Sequence, residues 1–136
     1  MPGETNLTRL LSSMQPTLRE GEYVFCTLPS LNGQDLDPLG FFREEEGMTL
    51  ILPRHQAEAA GLPYSAVFAM ITLSVHSSLE AVGFLAAIAT RLASHGISVN
   101  PVSAFYHDHL FVPVAQAETA IALLHELVAE NGTNGS

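Results

Sequence analysis

The sequence predicts an α+β fold of the ferredoxin-like βαββαβ type, built as two tandem modules that share a central strand. Three observations predict it. The stretch VFAMITLSV, residues 67–75, alternates: Val67, Ala69, Ile71, Leu73 and Val75 fall on one side of a pleated strand, and Phe68, Met70, Thr72 and Ser74 on the other. One side is wholly apolar and the other is apolar for half its length, which suits a strand covered on one face with neighbours on both edges. The elements flanking this strand run in the same order in both halves: helix, glycine, strand, connection, strand, proline, helix. Adding the central strand to the second half gives βαββα, and adding it to the first gives αββαβ, both parts of the ferredoxin-like unit.

The elements follow in order. Thr5 or Asn6 caps a first helix whose apolar stripe is Leu7, Leu10, Leu11 and Met14. Pro16 and Gly21 mark its exit, and the aromatic, β-branched run EYVFCTL is a strand ending at Leu28. Pro29 to Gly47 is a long connection with Asn32-Gly33 and Asp37-Pro38 turn signals, a short helix after Asp37 and a solvated acidic run, Glu44-Glu45-Glu46. Met48 to Leu52 is the next strand, and Pro53 to Ala60 a short helix with Gly61 just past its end. After the central strand, Ser77 and Glu80 have capping-box spacing, so a helix is expected from Ser77 to about His95, with Gly96 following it. Its core stripe is Val82, Leu85, Ala89 and Leu92, broadened by Phe84 and Ile88 so that more than one surface is covered, and Gly83, Ala87, Thr90 and Ser94 form a face of small residues that admits close approach of another backbone or a ligand. Ile97 to Phe105 and His109 to Val114 form a hairpin, with Pro101 and Pro113 favouring edge positions or bulges. A last helix runs from about Gln116 to Glu130, burying Ala117, Ala120, Ile121, Leu124 and Leu127. The expected division is residues 1–64 as an N-terminal half lacking its first strand, 65–130 as a complete C-terminal module, and 131–136 as a flexible tail. Each half lacks one outer strand, which points to a homodimer, because bare edges invite pairing.

Composition narrows the function. The 136 residues carry a formal charge of −9 and are 47% apolar against 14% charged, which describes a folded, well-buried protein. Five basic residues offer no patch for phosphates or anionic lipid, so neither nucleic acid nor membrane is an expected partner. No apolar run is long enough to span a bilayer, and the N-terminal MPGETNLTRLL lacks the basic and apolar regions of a secretory signal, so a cytoplasmic location is expected. The lone cysteine, Cys26, sits in YVFCTL as a core residue rather than a nucleophile.

Residues 68–127 resemble an ACT domain, the small-molecule-binding regulatory module of amino-acid metabolism. The likeness is carried by LEAVGFLAAIATRLASHGISVNPVSAF, with its V-G-F-L helix start and G-I-S-V helix exit, and by the YHDHLFVPV hairpin strand. GETNLTRLLSSMQPTL, YVFCTL and FREEEGMTLIL resemble the N-terminal half of small stand-alone bacterial tandem ACT-like proteins, themselves similar to aspartokinase regulatory regions. The resemblance implies binding of an amino acid or similar small effector, without catalysis. Either an enzyme or regulator partner in trans, or a storage or sensing role, is expected. It implies a ligand held between the loop His76, Ser77, Ser78, Glu80, Val82 and Gly83 and a facing strand end with Ser103, Phe105 and Asp108. ACT loops often place an acidic residue and a glycine at the turn itself; here the turn reads His76-Ser77-Ser78 and Gly83 falls inside the expected helix.

The residue chemistry agrees with such a site. The first turn of a helix opening at Ser77 has free N–H groups and a positive dipole end suited to a carboxylate, Gly83 admits a ligand to the backbone, and Asp108 suits an ammonium group. Glu4, Thr5 and Asn6 repeat the device before the first helix, although Ser77, Thr5 and Asn6 equally read as plain helix caps. His107-Asp108-His109 is either a hairpin tip or a metal site, with His107 and His109 on one side of an extended strand and His76 approaching from its loop. Nothing else has ligand spacing, so no metal or other cofactor is assigned. No nucleophile elbow or glycine-rich phosphate loop occurs, so an enzyme is not expected. The alternatives to the effector-binding regulator are an interaction module with a vestigial pocket and a small metal-dependent enzyme using His107 and His109.

Overall fold

The computed structural model describes residues 6–30, 35–75 and 81–134. In chain order the elements are α1 (Leu7–Ser13), β1 (Pro16–Leu18), β2 (Tyr23–Leu28), β3 (Gly40–Arg43), β4 (Met48–Pro53), α2 (Arg54–Ala59), β5 (Phe68–Leu73), α3 (Phe84–Ala93), β6 (Asn100–Ser103), β7 (Asp108–Pro113) and α4 (Ala117–Asn134). A 3-10 turn, Val114–Gln116, leads into α4. The strands form one antiparallel sheet of order β3-β4-β2-β5-β7-β6, with β1 paired to β5 beside β2.

The central strand is β5, as the alternation predicts. β7 pairs with it along its whole length, from Phe68↔Pro113 to Leu73↔Asp108. The opposite edge is shared: β1 takes its C-terminal half, Pro16↔Leu73 to Leu18↔Ile71, and β2 touches its start at Tyr23↔Phe68. Between them the register slips, and Gly21, at φ 99°, supplies a left-handed backbone at the bend. The outer strand that the second half lacks in sequence order therefore comes from the N-terminus of the same chain. The described sheet ends at β3 on one side and β6 on the other.

All four helices cover one face, over two cores. The larger holds Leu10, Leu11 and Met14 of α1, Ala69, Ile71 and Leu73 of β5, Phe84, Ile88 and Leu92 of α3, Leu110 and Val112 of β7, and the buried stripe of α4. The smaller holds Val24, Cys26 and Leu28 of β2, Met48, Leu50 and Leu52 of β4, and Ala57 of α2. The apparent repeat would put α1 over its own half; instead α1 packs on α4 and α3. The cause is chain length: only Met14 and Gln15 separate α1 from β1, and β1 is hydrogen-bonded to β5, so α1 has no reach to β4.

Other expectations are corrected. The stretch from Pro16 to Gly21 is not only an exit but holds strand β1. No helix follows Asp37: residues 35–38 are irregular, tied by Asp37 N–H donating to Gln56 Oε1 at 2.9 Å, and the chain then enters β3, whose Phe41 and Phe42 favour a strand. The described helix α3 begins at Phe84, not near Ser77, because Gly83 sits at φ 87° and ends any continuous helical backbone there. Val82, expected in the core stripe, lies outside that helix and is 84% exposed. Residues 76–80, with the expected capping box, lie outside the described residues. Helix α4 continues through Asn134 instead of ending at Glu130, and Asn131 donates its side-chain amide to Leu127 O at 2.8 Å.

The face without helices is concave. β2 and β7 are separated by β5, so on a flat sheet they would lie about 10 Å apart. Yet Phe111 of β7 meets Phe25 of β2 at 5.5 Å and Tyr23 at 6.0 Å between ring centroids, both edge to face. Phe25 also meets Phe68 at 5.4 Å. The curl lets this face bury its own aromatic cluster, and Phe111 is only 2% exposed although no described helix covers it.

Candidate ligand-binding sites

The structure sorts the expected site residues into separate places. His76, Ser77, Ser78 and Glu80, together with Glu4 and Thr5, lie outside the described residues. Asn6 is the N-cap of α1, its Oδ1 accepting from Arg9 N–H at 3.0 Å. Gly83 lies at the turn, as the residue immediately before α3, and its carbonyl accepts the first helical hydrogen bond from Ala87 at 2.9 Å. A side chain at Gly83 would meet Leu7 Cδ2 at 3.5 Å, so the start of α1 borders this turn. That is ordinary contact, and the demand for glycine comes from the backbone, not from crowding.

The β6–β7 hairpin holds the remaining expected residues on different faces. Ser103 is exposed and pairs with Asp108. Phe105 and Tyr106 form the exposed tip, edge to face at 5.1 Å. Asp108 is 5% exposed and paired with Leu73, so it belongs to the helix-covered face. His109 faces the concave side, where its Nδ1 lies 3.0 Å from Thr72 Oγ1. His107 precedes β7, and its Nδ1 is buried with no hydrogen-bond partner among the described residues. Among the described residues, no group of three or more His, Cys, Asp or Glu side chains converges as a metal site would require.

Sequence reasoning missed the pocket that opens beside His109. It encloses about 300 Å³ on the concave face. Leu39, Gly40 and Ile51 line one side, Met70 and Phe111 the floor, and Val102, Ala104 and His109 the other side. Residues near both sheet edges meet across it, which only a curled sheet allows. Burial pushes the His109 pKa below its ordinary value, with His107 and Arg19 acting in the same direction and Asp108 opposing. The ring is therefore held neutral at neutral pH and is suited to hydrogen bonding rather than to carrying charge. The signal for this pocket lies in the second face of the central strand: Phe68 and Met70 are apolar where a solvated sheet face would be polar.

The comparisons with known proteins agree with this architecture. Two family models, each described as an ACT domain, match residues 2–69 and 66–126. A Vibrio cholerae protein of unknown function, described as a possible transport protein, is 49% identical; the match covers 90% of this chain and 95% of that one, with a TM-score of 0.82. An Agrobacterium tumefaciens protein is 16% identical over 85% of this chain and 89% of its own, with a TM-score of 0.70. The ligand-free regulatory subunit of aspartate kinase from Thermus thermophilus is 12% identical over 86% and 97%, with a TM-score of 0.63, and shares the fold. No curated protein matches the chain. No described helix is long and apolar enough to cross a membrane.

Proposed function

The chain belongs to the ACT domain family as a tandem pair, and from that premise we propose that it senses a free amino acid or a similarly small effector and acts as a homodimer on an enzyme or regulator in trans. ACT domains are regulatory, non-catalytic modules that bind small effectors. The observation that carries the reading is Gly83. It takes a left-handed backbone at φ 87° immediately before α3, at the strand–helix turn where such a module presents backbone N–H groups to an effector. The turn has the glycine that the family's pattern asks for, and Val82 beside it is exposed.

The loop from His76 to Gly83 supplies one wall in this reading, and Ser103, Phe105 and Asp108 of the hairpin supply the facing end. The sheet edges support the homodimer. β1 fills the inner vacancy at β5, which leaves β3 and β6 as the outer strands, and on β3 Phe41 and Phe42 stand 55% and 71% exposed. The expected location is the cytoplasm.

A thermal-shift panel of the twenty amino acids tests the reading. An effector at a hundred times its dissociation constant adds about 2.7 kcal/mol of stability. Gly83→Val costs roughly 1–2 kcal/mol by forcing a β-branched residue into the left-handed region and should abolish the response. A flat panel, or a response that survives Gly83→Val in full, would sink the proposal.

A further inference from the structure

The concave face carries a pocket chemically different from the turn at Gly83. Among the described residues that line it only His109 is polar, and none is a carboxylate. Its volume of about 300 Å³ equals that of roughly ten liquid waters, enough for a ligand of about ten heavy atoms. The His109 imidazole lies 3.0 Å from Thr72 Oγ1 through Nδ1, and among the described residues its Nε2 has no partner.

A cation belongs to the same face. Arg19 N–H donates to Met70 O at 2.9 Å, which carries the β1–β5 ladder one step beyond Leu18↔Ile71. Residues directly opposite in such a ladder share a face, so Arg19 belongs on the side of Met70, in the pocket floor. Its charge is felt at His109. Arg54 is paired with Glu22 and Glu58, and Arg91 with Glu130. Arg19 makes no ion pair among the described residues, although the chain holds fourteen acidic residues against five basic.

We infer that the concave pocket binds a small monocarboxylate with an apolar, branched or aromatic body, the body lying on Ile51, Met70, Val102 and Phe111 and the carboxylate reaching His109 and Arg19. The charge complementarity favours an acid over a neutral compound. The same lining disfavours the parent amino acid, because an α-ammonium group would meet two nitrogen groups and, among the described lining residues, no acid. This site lies on the face opposite Asp108 and stands independently of the effector site at Gly83.

Isothermal titration of the full chain with 3-phenylpropanoate and 4-methylpentanoate tests it, with their amides and with phenylalanine and leucine as controls. Saturable binding of the acids is expected, with the amides weaker by about tenfold or more, the difference made by one charge-assisted contact. Arg19→Gln, at an exposed position that leaves the fold intact, should bring the acids down to the level of the amides. Val102→Trp, filling the pocket, should abolish binding of both. Gly83→Val should leave acid binding unchanged, which separates this site from the effector site. Equal binding of acids and amides, an Arg19→Gln variant that binds as the wild type does, or no saturable binding would overturn the assignment. Acid binding that is lost as the protein self-associates at higher concentration would assign the face to a second copy of the chain, and would overturn it too.

Discussion

Leu10→Ala distinguishes the observed packing of α1 from the packing its place in the chain suggests. Leu10 has no exposed surface and sits among the side chains of β5, α3, β7 and α4. Leu50, equally buried, sits in the smaller core under α2. Truncating a buried leucine to alanine costs about 2–5 kcal/mol, through lost transfer energy and the cavity left behind. A mid-range loss of about 3 kcal/mol is a factor of about 150 in an opening equilibrium, a large share of the roughly 5–15 kcal/mol that holds a domain together. Amide hydrogen exchange measured on both variants reports where that loss falls. In Leu10→Ala the protection of α4 and β7 should drop, with β2 and β4 little changed. Leu50→Ala should show the reverse. Faster exchange in β2 and β4 on truncating Leu10, or a uniform rise throughout in both variants, would refute the division into two cores and the placement of α1 in the larger one.

Two further predictions concern titration and reactivity. His109 has its pKa lowered in the fold by burial, so on unfolding it takes up a proton at any pH between its folded value and its ordinary one near 6.5. The stability it contributes is therefore full above about pH 6.5 and falls as the pH drops through that value toward the folded pKa. Urea midpoints of the wild type and of His109→Gln should run parallel above pH 7 and converge below pH 6.5, and curves that stay parallel throughout would contradict the buried, neutral ring. Cys26 is buried in β2 with its thiol pKa pushed up by burial, so a thiol reagent at neutral pH should label it only at the rate of unfolding. Rapid stoichiometric labelling of the folded protein would contradict that burial.

Much of this protein is decided locally, and that part is legible from residue order. The period-two alternation of Val67–Val75 specified a strand with one fully buried face, and β5 is that strand, paired on both edges. Pro53 before α2, Gly61 after it and Gly96 after α3 mark helix ends because each acts through its own backbone, and Gly61 and Gly96 both take positive φ. Cys26 and the apolar stripe of α4 needed only periodicity to be placed in a core. Gly83 shows where local reading stops. The small residues Ala87, Thr90 and Ser94 on its helical face and the Ser77–Glu80 spacing suited a longer helix, whereas the left-handed turn it makes is one of two options that glycine allows, and the surrounding chain selects it.

What only the tertiary structure decided is whatever depends on pairing between distant segments. A three-residue strand such as β1 has no periodicity of its own and exists because β5 offers it an edge. Once β1 is there, the two-residue link to α1 carries that helix into the C-terminal core, against the order of the apparent repeat. The pocket at His109 is further still from the sequence. Leu39 and Val102 meet across it only because the sheet curls, and curl accumulates from the twist of every strand between β3 and β6. Residue types reveal that Met70 and Phe111 are apolar and that Arg19 is charged; their shared face follows from register, a property of pairs of strands and not of any one of them.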